Sequence, residues 1–468
     1  MSFTPRDYQV SAVRRARESR KAGNQSILLV GPTGMGKTVL ATMLAKGAIQ
    51  KDKRIGFFVH REELQDQAAA AFKRIGVDAG IVRGNAQGRS WMQLQIVSIQ
   101  TAAIRGVNHR FDLVFLDEAH HFVAEHWRKP IDKIRADGTT IIGLTATPDR
   151  GDGKGLGGET GIFDDLIVVC QPRELIEAGH LVPCRVVGPT KSTQTLAEDP
   201  VAAYKEWARG LKTIVFCSKV SYAKKLATHF TAAGFPAACV DGNMDETKRA
   251  DTIERFRNGK LMVLTNVMVL TEGFDVPATS CVITTTGASA PAPLIQKVGR
   301  AMRPYPGKTE CVHIDLRGAW FDVAMLPGDD RSFSLQGTAI TAIEREEGTC
   351  IARCPNCGLM FRANDFQDSR CPGCGYKRPG REDPRVRRAR MAVMDARMVQ
   401  DERVKWLARK IAEGRGLRKA DGTPFKAVGW AVHQYVKRFG SETGSPWPPK
   451  EIVKAAVSMA DAVLWRAS

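Results

Sequence analysis

Eight residues near the amino terminus have the types and spacing needed to hold a triphosphate. The stretch Gly31-Pro32-Thr33-Gly34-Met35-Gly36-Lys37-Thr38 fits Gly-x-x-x-x-Gly-Lys-Thr and follows the apolar run at residues 27–30. Glycines let the backbone turn its N–H groups toward a β-phosphate, and the N-terminus of the following helix adds partial positive charge. We expect Lys37 to reach the β- and γ-phosphate oxygens and Thr38 to hold Mg²⁺. The loop positions expected to surround the nucleotide are Gly31, Thr33, Gly34 and Gly36.

A pair of adjacent carboxylates follows a later apolar run. Residues 113–116 lead into Asp117 and Glu118. In an ATP-hydrolysing site, Asp117 would hold Mg²⁺, and Glu118 would orient and deprotonate the attacking water. A lone Asp-Glu pair is also common where a strand meets an acidic helix cap. The upstream phosphate loop favours the catalytic interpretation.

Two arginines three residues apart, Arg300 and Arg303, could present fixed positive charge to a γ-phosphoryl group. Such charge stabilises the transition state, and removing one arginine finger costs about a thousandfold or more in rate. For arginines taken alone, a solvated helix face is the competing interpretation. The motif that surrounds them, described below, makes that alternative improbable.

Four of the eleven cysteines form two knuckles of the form Cys-Pro-x-Cys-Gly, at Cys354 with Cys357 and at Cys371 with Cys374. Two such turns make a tetrahedral four-sulfur site for which Zn²⁺ is the usual occupant, and four sulfurs leave no open position, so the metal would be structural. An iron–sulfur cluster is the minority alternative. Cysteine pairs of this kind indicate metal binding in a reducing cytoplasm rather than disulfides.

The elements that must position these residues repeat a strand-helix rhythm. Short apolar runs alternate with helical patterns on both sides of the glycine-rich stretch at residues 151–158, which predicts an α/β fold with two tandem parallel-sheet domains. The expected strands are residues 27–30, 55–59, 95–99, 113–116 and 140–144 in the first domain, and 213–217, 237–240, 261–264, 280–284 and 311–314 in the second.

Length and charge extend this organisation. A chain of 468 residues is too long for one core, and its formal net charge of +19 indicates a polyanionic partner. The sequence contains no run of eighteen apolar residues, so nothing in it favours a membrane as the partner. Residues 351–468 carry 24 Lys and Arg against 12 Asp and Glu. We expect an ATP-binding domain at 1–180, a second α/β domain at 181–346, a zinc ribbon at 347–380 and a basic, mainly helical region at 381–468.

Further motifs make the chain resemble the superfamily 2 helicases of the DEAD/DEAH-box type over about residues 5–320. Residues 117–120 read Asp-Glu-Ala-His, 144–148 read Leu-Thr-Ala-Thr-Pro, and 296–303 fit Gln-x-x-Gly-Arg-x-x-Arg. The ending Gly-Arg-Ala-Met-Arg-Pro resembles DNA-remodelling relatives of the RecG, XPB and UvsW type, and the arrangement resembles compact phage helicases. The resemblance implies two RecA-like domains, ATP and Mg²⁺ as cofactors, and a nucleic-acid partner, with DNA favoured over RNA. It also implies a bacterial or phage-infected host cytoplasm.

The resemblance also assigns roles to single residues. Arg6 and Gln9 would contact adenine, while Gln296 would act with the catalytic arginines. Thr145, Thr147 and His120 would couple hydrolysis to domain movement. Gly273 and Asp275 would connect the nucleic acid with the ATP site. The candidate contacts to a sugar-phosphate backbone are Arg61, Gln100, Thr101, Ser218, Lys219 and Thr265.

Several functions remain open at this point. The first expectation is unwinding or branched-DNA remodelling in replication, recombination or repair, with the C-terminal region available to replication or recombination proteins. The alternatives are an RNA helicase, a nucleic-acid-binding ATPase switch that does not unwind, and a restriction-enzyme motor subunit.

Overall fold

The structure is a computed structural model. It describes residues 5–60, 63–74, 76–82, 92–105, 110–148, 154–158, 161–271, 274–337, 341–342, 351–362, 365 and 370–377, together with 406–407, 409–411, 413, 428, 431–435, 453 and 456–457. Contacts divide the chain into two units, Met1–Tyr376 and Lys377–Ser468.

The first lobe of the larger unit is built on a seven-stranded sheet in which every strand pair is parallel. Its strand order is β3-β4-β2-β5-β6-β1-β7. The strands are β1 (Ser26–Val30), β2 (Ile55–Val59), β3 (Gly80–Val82), β4 (Leu94–Ser98), β5 (Leu113–Asp117), β6 (Thr140–Thr145) and β7 (Asp165–Val168). The helices are α1 (Asp7–Lys21), α2 (Lys37–Ile49), α3 (Glu63–Lys73), α4 (Ile99–Arg105) and α5 (Glu125–Ala136), and α6 (Pro172–Glu177) follows this sheet in the chain.

The second lobe is built on an eight-stranded sheet with the order β10-β11-β9-β12-β13-β8-β17-β16. Its strands are β8 (Cys184–Val187), β9 (Thr213–Phe216), β10 (Ala237–Val240), β11 (Val263–Asn266), β12 (Cys281–Thr284), β13 (Cys311–Asp315), β16 (Ile351–Arg353) and β17 (Leu359–Arg362), and a separate pair joins β14 (Arg331–Ser332) to β15 (Thr341–Ala342). The helices are α7 (Pro200–Trp207), α8 (Val220–Ala232), α9 (Glu246–Arg257), α10 (Pro291–Gly299) and α11 (Ala319–Asp322).

Burial explains why these segments form parallel strands. Strands β1, β2 and β4 are buried along their whole length, as expected for a parallel sheet covered by helices on both faces. Because β1 pairs with β6 and β6 pairs with β5, the loops after these three strands open at one edge of the sheet. That edge carries the phosphate loop, the Asp117–Glu118 pair and Thr145.

The expected α/β class with two parallel-sheet domains is confirmed, and most strands lie within one residue of their expected bounds. The strand expected at 261–264 instead runs Val263–Asn266. Its polar end residues are buried because Thr265 Oγ1 donates to the Ala223 carbonyl and Asn266 Nδ2 donates to the Val215 carbonyl. Strands β3, β7 and β8 were not expected, since runs of three or four residues give little periodic signal.

The segment expected to form a zinc ribbon is joined to the second sheet. Strand β17 pairs antiparallel with β8, and β16 pairs antiparallel with β17. Arg353 Nε also donates to the Gly188 carbonyl, and Arg362 forms an ion pair with Asp329. The ribbon therefore continues the sheet of the second lobe.

Residues 326–337, here called the strap, lead from the second lobe back to the first. The Gly157 N–H donates to the Leu335 carbonyl at 3.0 Å. Phe333 and Leu335 pack against the apolar cluster of the first lobe that contains Leu28 and Phe163. The chain thus leaves the first lobe through residues 169–183, returns to it through the strap, and re-enters the second sheet at β16.

In the smaller unit, the described residues include a buried group formed by Leu407, Ile411, Ala431, Tyr435 and Ala456. The Tyr435 and Trp406 rings lie 6.4 Å apart. The Tyr435 side chain is therefore packed in a core. Within the described part of the chain, no helix has the length and apolarity needed to cross a membrane.

We predict that Gly143→Ala destabilises the first lobe. A Cβ at this position would lie 2.7 Å from Leu28 Cδ1 and closer still to the Phe163 ring, so neighbouring side chains must shift. Such overpacking costs about 1–3 kcal/mol, measurable by urea unfolding. Gly242→Ala is the matched control because a Cβ there meets no atom within 4 Å of the described structure. Equal unfolding midpoints for the two variants would contradict this packing.

Candidate active site and metal centre

The phosphate loop takes the backbone conformation that its glycines permit. Gly34 and Gly36 have φ of +103° and +84°, where side chains other than glycine are strained, and α2 begins at Lys37. The loop is held from one side by α1, because Tyr8 Oη and Gln9 Nε2 both donate to the Met35 carbonyl, at 3.1 and 3.0 Å. The N-terminus of α2 therefore points its free N–H groups at a supported loop.

Arg6 and Gln9, the residues expected to contact adenine, hydrogen-bond to groups that support the phosphate loop. Gln9 is 2% exposed, and its Oε1 accepts from the Arg6 N–H at 3.1 Å while its Nε2 bonds to Met35. Arg6 Nη1 donates to Tyr8 Oη at 2.9 Å. An adenine contact by Gln9 would require exchange of one of these bonds, and it stays a prediction. Tyr8 was not recognised from sequence, since one tyrosine carries no spacing signal.

Lys37 lies between the two carboxylates after β5. Its Nζ forms an ion pair with Glu118 and lies 3.8 Å from Asp117 Oδ1. Burial by itself would lower the pKa of Lys37, but the Glu118 and Asp117 carboxylates outweigh it and raise that pKa above its usual value. Burial also raises the pKa of Asp117, with Lys37 opposing. Three of the expected catalytic groups are thus together in one partly buried cluster.

A series of polar contacts leads from this cluster to the second lobe. His120 Nδ1 lies 3.8 Å from Glu118 Oε2 and 3.0 Å from Thr145 Oγ1. The Thr147 N–H donates to Thr145 Oγ1 at 3.1 Å. Across the lobes, Gln296 Nε2 donates to Thr147 Oγ1 at 3.0 Å, and both residues are buried. The residues expected to couple the lobes therefore form a continuous path.

The two candidate arginine fingers are held within the second lobe. Arg300 is 7% exposed and donates to the carbonyls of Thr271 and Phe274. Arg303 donates to the Phe274 carbonyl at 3.1 Å and forms an ion pair with Asp275. The positive charge of Arg300 is close enough to act against the protonated form of Lys37. Gly273 lies outside the described residues.

Lys308 supports the segment that carries the two arginines. Its Nζ donates to the carbonyls of Pro277, Thr279 and Arg303, at 3.1, 2.5 and 2.8 Å. Burial lowers its pKa to about 8. These bonds fix the chain on both sides of the arginines. No sequence signal distinguishes this lysine from a surface lysine.

Comparison with protein families agrees with this arrangement. A model described as "Type III restriction enzyme, res subunit" matches residues 2–150, and one described as "Helicase conserved C-terminal domain" matches residues 198–305. A 51.5 kDa protein of a Lactococcus phage is 29% identical over 306 residues, covering 61% of this chain and 64% of that protein. The putative mitochondrial ATP-dependent helicase irc3 of Schizosaccharomyces pombe is 28% identical, covering 66% of this chain and 57% of that protein.

These two domain matches and the helicase relatives support a superfamily 2 helicase. Its matched region spans between half and two thirds of the length of those relatives and of Saccharomyces cerevisiae IRC3, where the share is 51%. Solved structures share the fold of this helicase. A fragment of a putative HsdR subunit from Vibrio vulnificus is 24% identical with a TM-score of 0.54, covering 68% of this chain and 65% of that one. The LlaBIII restriction-modification enzyme is 16% identical with a TM-score of 0.53, covering 68% and 28%.

The residues expected to contact nucleic acid differ in their solvent exposure. Ser218 and Lys219 are exposed after β9. Thr265 is fully buried, so its hydroxyl is not available to a strand in this conformation. Thr101 is 8% exposed, and Gln100 is bonded to the His60 carbonyl and Ser98. Arg61 lies outside the described residues.

The four-cysteine site of the helicase has the geometry of a metal centre. The four Sγ atoms lie within 4.8 Å of one another, and the Cys354–Cys374 and Cys357–Cys371 pairs are each 3.7 Å apart. Sulfurs about 2.3 Å from a tetrahedral ion are about 3.8 Å from each other. The thiolates fit Zn²⁺ in both number and spacing.

We predict that the Gln296–Thr147 bond couples the lobes during hydrolysis. Gln296→Ala and Thr147→Val should each lower the nucleic-acid-stimulated ATPase rate by about tenfold, because each removes one partner of a buried hydrogen bond. The double variant should be no slower than the slower single variant. Thr228→Val, which removes an exposed hydroxyl bonded within α8, is the control. Losses that multiply in the double variant would show that the two residues act independently.

We predict that removing the metal destabilises the second lobe while nucleotide binding persists. A chelator or Cys371→Ser should lower the thermal midpoint by several degrees, because β17 loses its metal-bound turns while it pairs with β8. The Cys371→Ser protein should show no further shift with chelator. Affinity for an ATP analogue should change by less than about threefold, since the phosphate loop belongs to the other lobe; its complete loss would contradict the prediction.

Proposed function

We propose that the protein is an ATP-driven DNA translocase or helicase that converts closure of the cleft between its lobes into movement along a strand. The observation that carries this proposal is the buried Gln296–Thr147 hydrogen bond, which connects the Lys37–Glu118 cluster to the helix that ends beside the candidate arginine fingers.

The apposed groups support a sequence of steps. Lys37 is paired with Glu118, so binding of a triphosphate would draw the ammonium toward phosphate oxygens and free Glu118 to orient water. Asp117 and Thr38 would hold Mg²⁺, which neutralises charge on the β- and γ-oxygens. Arg300 and Arg303 would exchange carbonyl partners for γ-phosphoryl oxygens. Their charge would then stabilise the transition state.

Loss of the γ-phosphate would remove the attraction between the lobes, and the cleft would open. Alternating grips on a backbone would convert this cycle into stepping. Exposed Ser218 and Lys219 are the best-placed contacts of the second lobe. Contacts to phosphates carry no base information, so we propose weak sequence preference.

DNA is the proposed partner for two reasons. The net charge of +19 suits a polyanion. Curated relatives named as RNA helicases match only 92–99 residues, whereas the EcoAI type I restriction endonuclease subunit is 26% identical over 347 residues. That relative and the restriction-enzyme family model favour a restriction motor as the second candidate. We propose the zinc site and basic C-terminal region as surfaces for DNA or replication proteins, in a reducing cytoplasm.

We predict that Glu118→Gln lowers ATP hydrolysis by about 10²–10⁴-fold through loss of the general base, with ATP-analogue affinity retained. Lys37→Ala should abolish strand displacement but leave DNA binding. Rates of ATP hydrolysis are measured with single-stranded, duplex and forked DNA and with RNA. Strand displacement from the duplexes is followed by gel electrophoresis.

These measurements separate the candidates. Stimulation by RNA alone would favour an RNA helicase. Hydrolysis without strand displacement or translocation would favour a switch, while ATP-dependent DNA cleavage would favour the restriction function. Absence of stimulation by every DNA would contradict the proposal.

A further inference from the structure

A small cavity lies beside the phosphate loop, at the junction of the two lobes and the strap. Its walls include Pro32 and Thr33 of the loop, Val298 and Gly299 of α10, and Arg331 of the strap. The other lining residues are apolar, and Arg331 is the charged residue among the described groups that line it. An ionised side chain in such a place calls for a physical reason.

The guanidinium of Arg331 is only partly satisfied. The residue is 3% exposed, and its Nη2 donates to the Pro327 carbonyl at 2.9 Å. Its Nε and Nη1 have no hydrogen-bond partner among the described residues. Burial lowers the pKa of Arg331 to about 10, with Asp329 and Asp330 opposing. The side chain is therefore cationic at neutral pH, and a buried cation with unmatched donors is strongly unfavourable.

The backbone of Arg331 is fixed to the segment between the lobes. Its N–H donates to Gln171 Oε1 at 3.0 Å, and its carbonyl accepts from Gln171 Nε2 at 2.9 Å. The Arg173 N–H also contacts Asp330 Oδ1 at 3.4 Å. These bonds fix the backbone of Arg331, and the bond from its Nη2 to the Pro327 carbonyl places the buried guanidinium in the cavity wall.

We propose that Arg331 binds a phosphate oxyanion beside the phosphate loop, where α10 and the loop must move apart because the cavity now has room for about one water, and that it gives the nucleotide site a positive charge carried by the strap. The inference rests on the proposed ATP-hydrolysing function, which brings phosphate to Pro32 and Thr33. A guanidinium with free N–H groups matches phosphate oxygens in charge and in geometry. Arg331 differs from Arg300 and Arg303 because its backbone is bonded to Gln171, before the second lobe begins.

The phosphate has two possible sources, the bound nucleotide and the orthophosphate released by hydrolysis. Binding is measured on the full chain with a Mg²⁺-bound non-hydrolysable ATP analogue, with Mg²⁺-ADP and with orthophosphate. We compare Arg331→Met, which keeps volume but removes charge, with Arg331→Lys, which keeps charge but not the fork. Arg173→Met removes a nearby positive charge that does not line the cavity and is the matched control.

We expect Arg331→Met to lower the affinity for at least one of these ligands by about tenfold or more. The loss of affinity should be smaller in Arg331→Lys and absent in Arg173→Met. Weaker binding of the analogue or of ADP would identify the phosphate of the bound nucleotide as the ligand. Weaker binding of orthophosphate alone would identify the released product. Without ligand, the thermal midpoint of Arg331→Met should equal or exceed that of the unsubstituted protein, because an unmatched buried charge is removed.

Unchanged affinity of Arg331→Met for all three ligands would overturn the inference, and a lowered midpoint in that case would assign Arg331 a structural role. If Arg331→Met does not fold, Arg331→Lys decides: wild-type affinities for all three ligands would overturn the inference, and selective weakening would support it. Failure of the unsubstituted protein to bind the ATP analogue would defeat the proposed function instead.

Discussion

The structure depends on one partly buried ammonium shared between two carboxylates. Lys37 is ion-paired with Glu118 and lies near Asp117, and each carboxylate is tolerated at the sheet edge because this cation is present. The charges that we propose to bind a magnesium-bound triphosphate therefore stabilise one another in the protein alone. A nucleotide at this site would have to replace interactions that already exist, so its binding would rearrange the proposed catalytic groups. This links occupancy of the site to its geometry.

That rearrangement can spread because the neighbouring contacts are buried and directional. His120, Thr145 and Thr147 lie between the carboxylates and Gln296 of the second lobe. The arginines are anchored to carbonyls in their own lobe rather than to solvent. If phosphate oxygens replaced these partners, the cleft would have two defined states rather than a continuum.

Local motifs could be predicted from the sequence because their chemistry is written in adjacent residues. The phosphate loop, the Asp117–Glu118 pair and the cysteine knuckles are of this kind, and the repeated apolar runs gave the sheet class. Contacts between distant segments could not be predicted. Gln296 meets Thr147 across 149 positions, and Gln171 meets Arg331 across 160. Solvent exposure also depends on tertiary packing, which the sequence pattern does not show. Thr265 was therefore expected to contact nucleic acid, although its side chain is buried.

The pairing of β17 with β8 has a consequence for chain boundaries. In the second sheet, β8 would be an edge strand if residues 351–362 were missing, and its unpaired N–H and C=O groups would be open to strands of other molecules. Strand β17 thus covers an edge that would otherwise be open to pairing with other molecules. A truncated helicase core that ends before residue 351 would keep every ATP-site motif and yet be prone to aggregate.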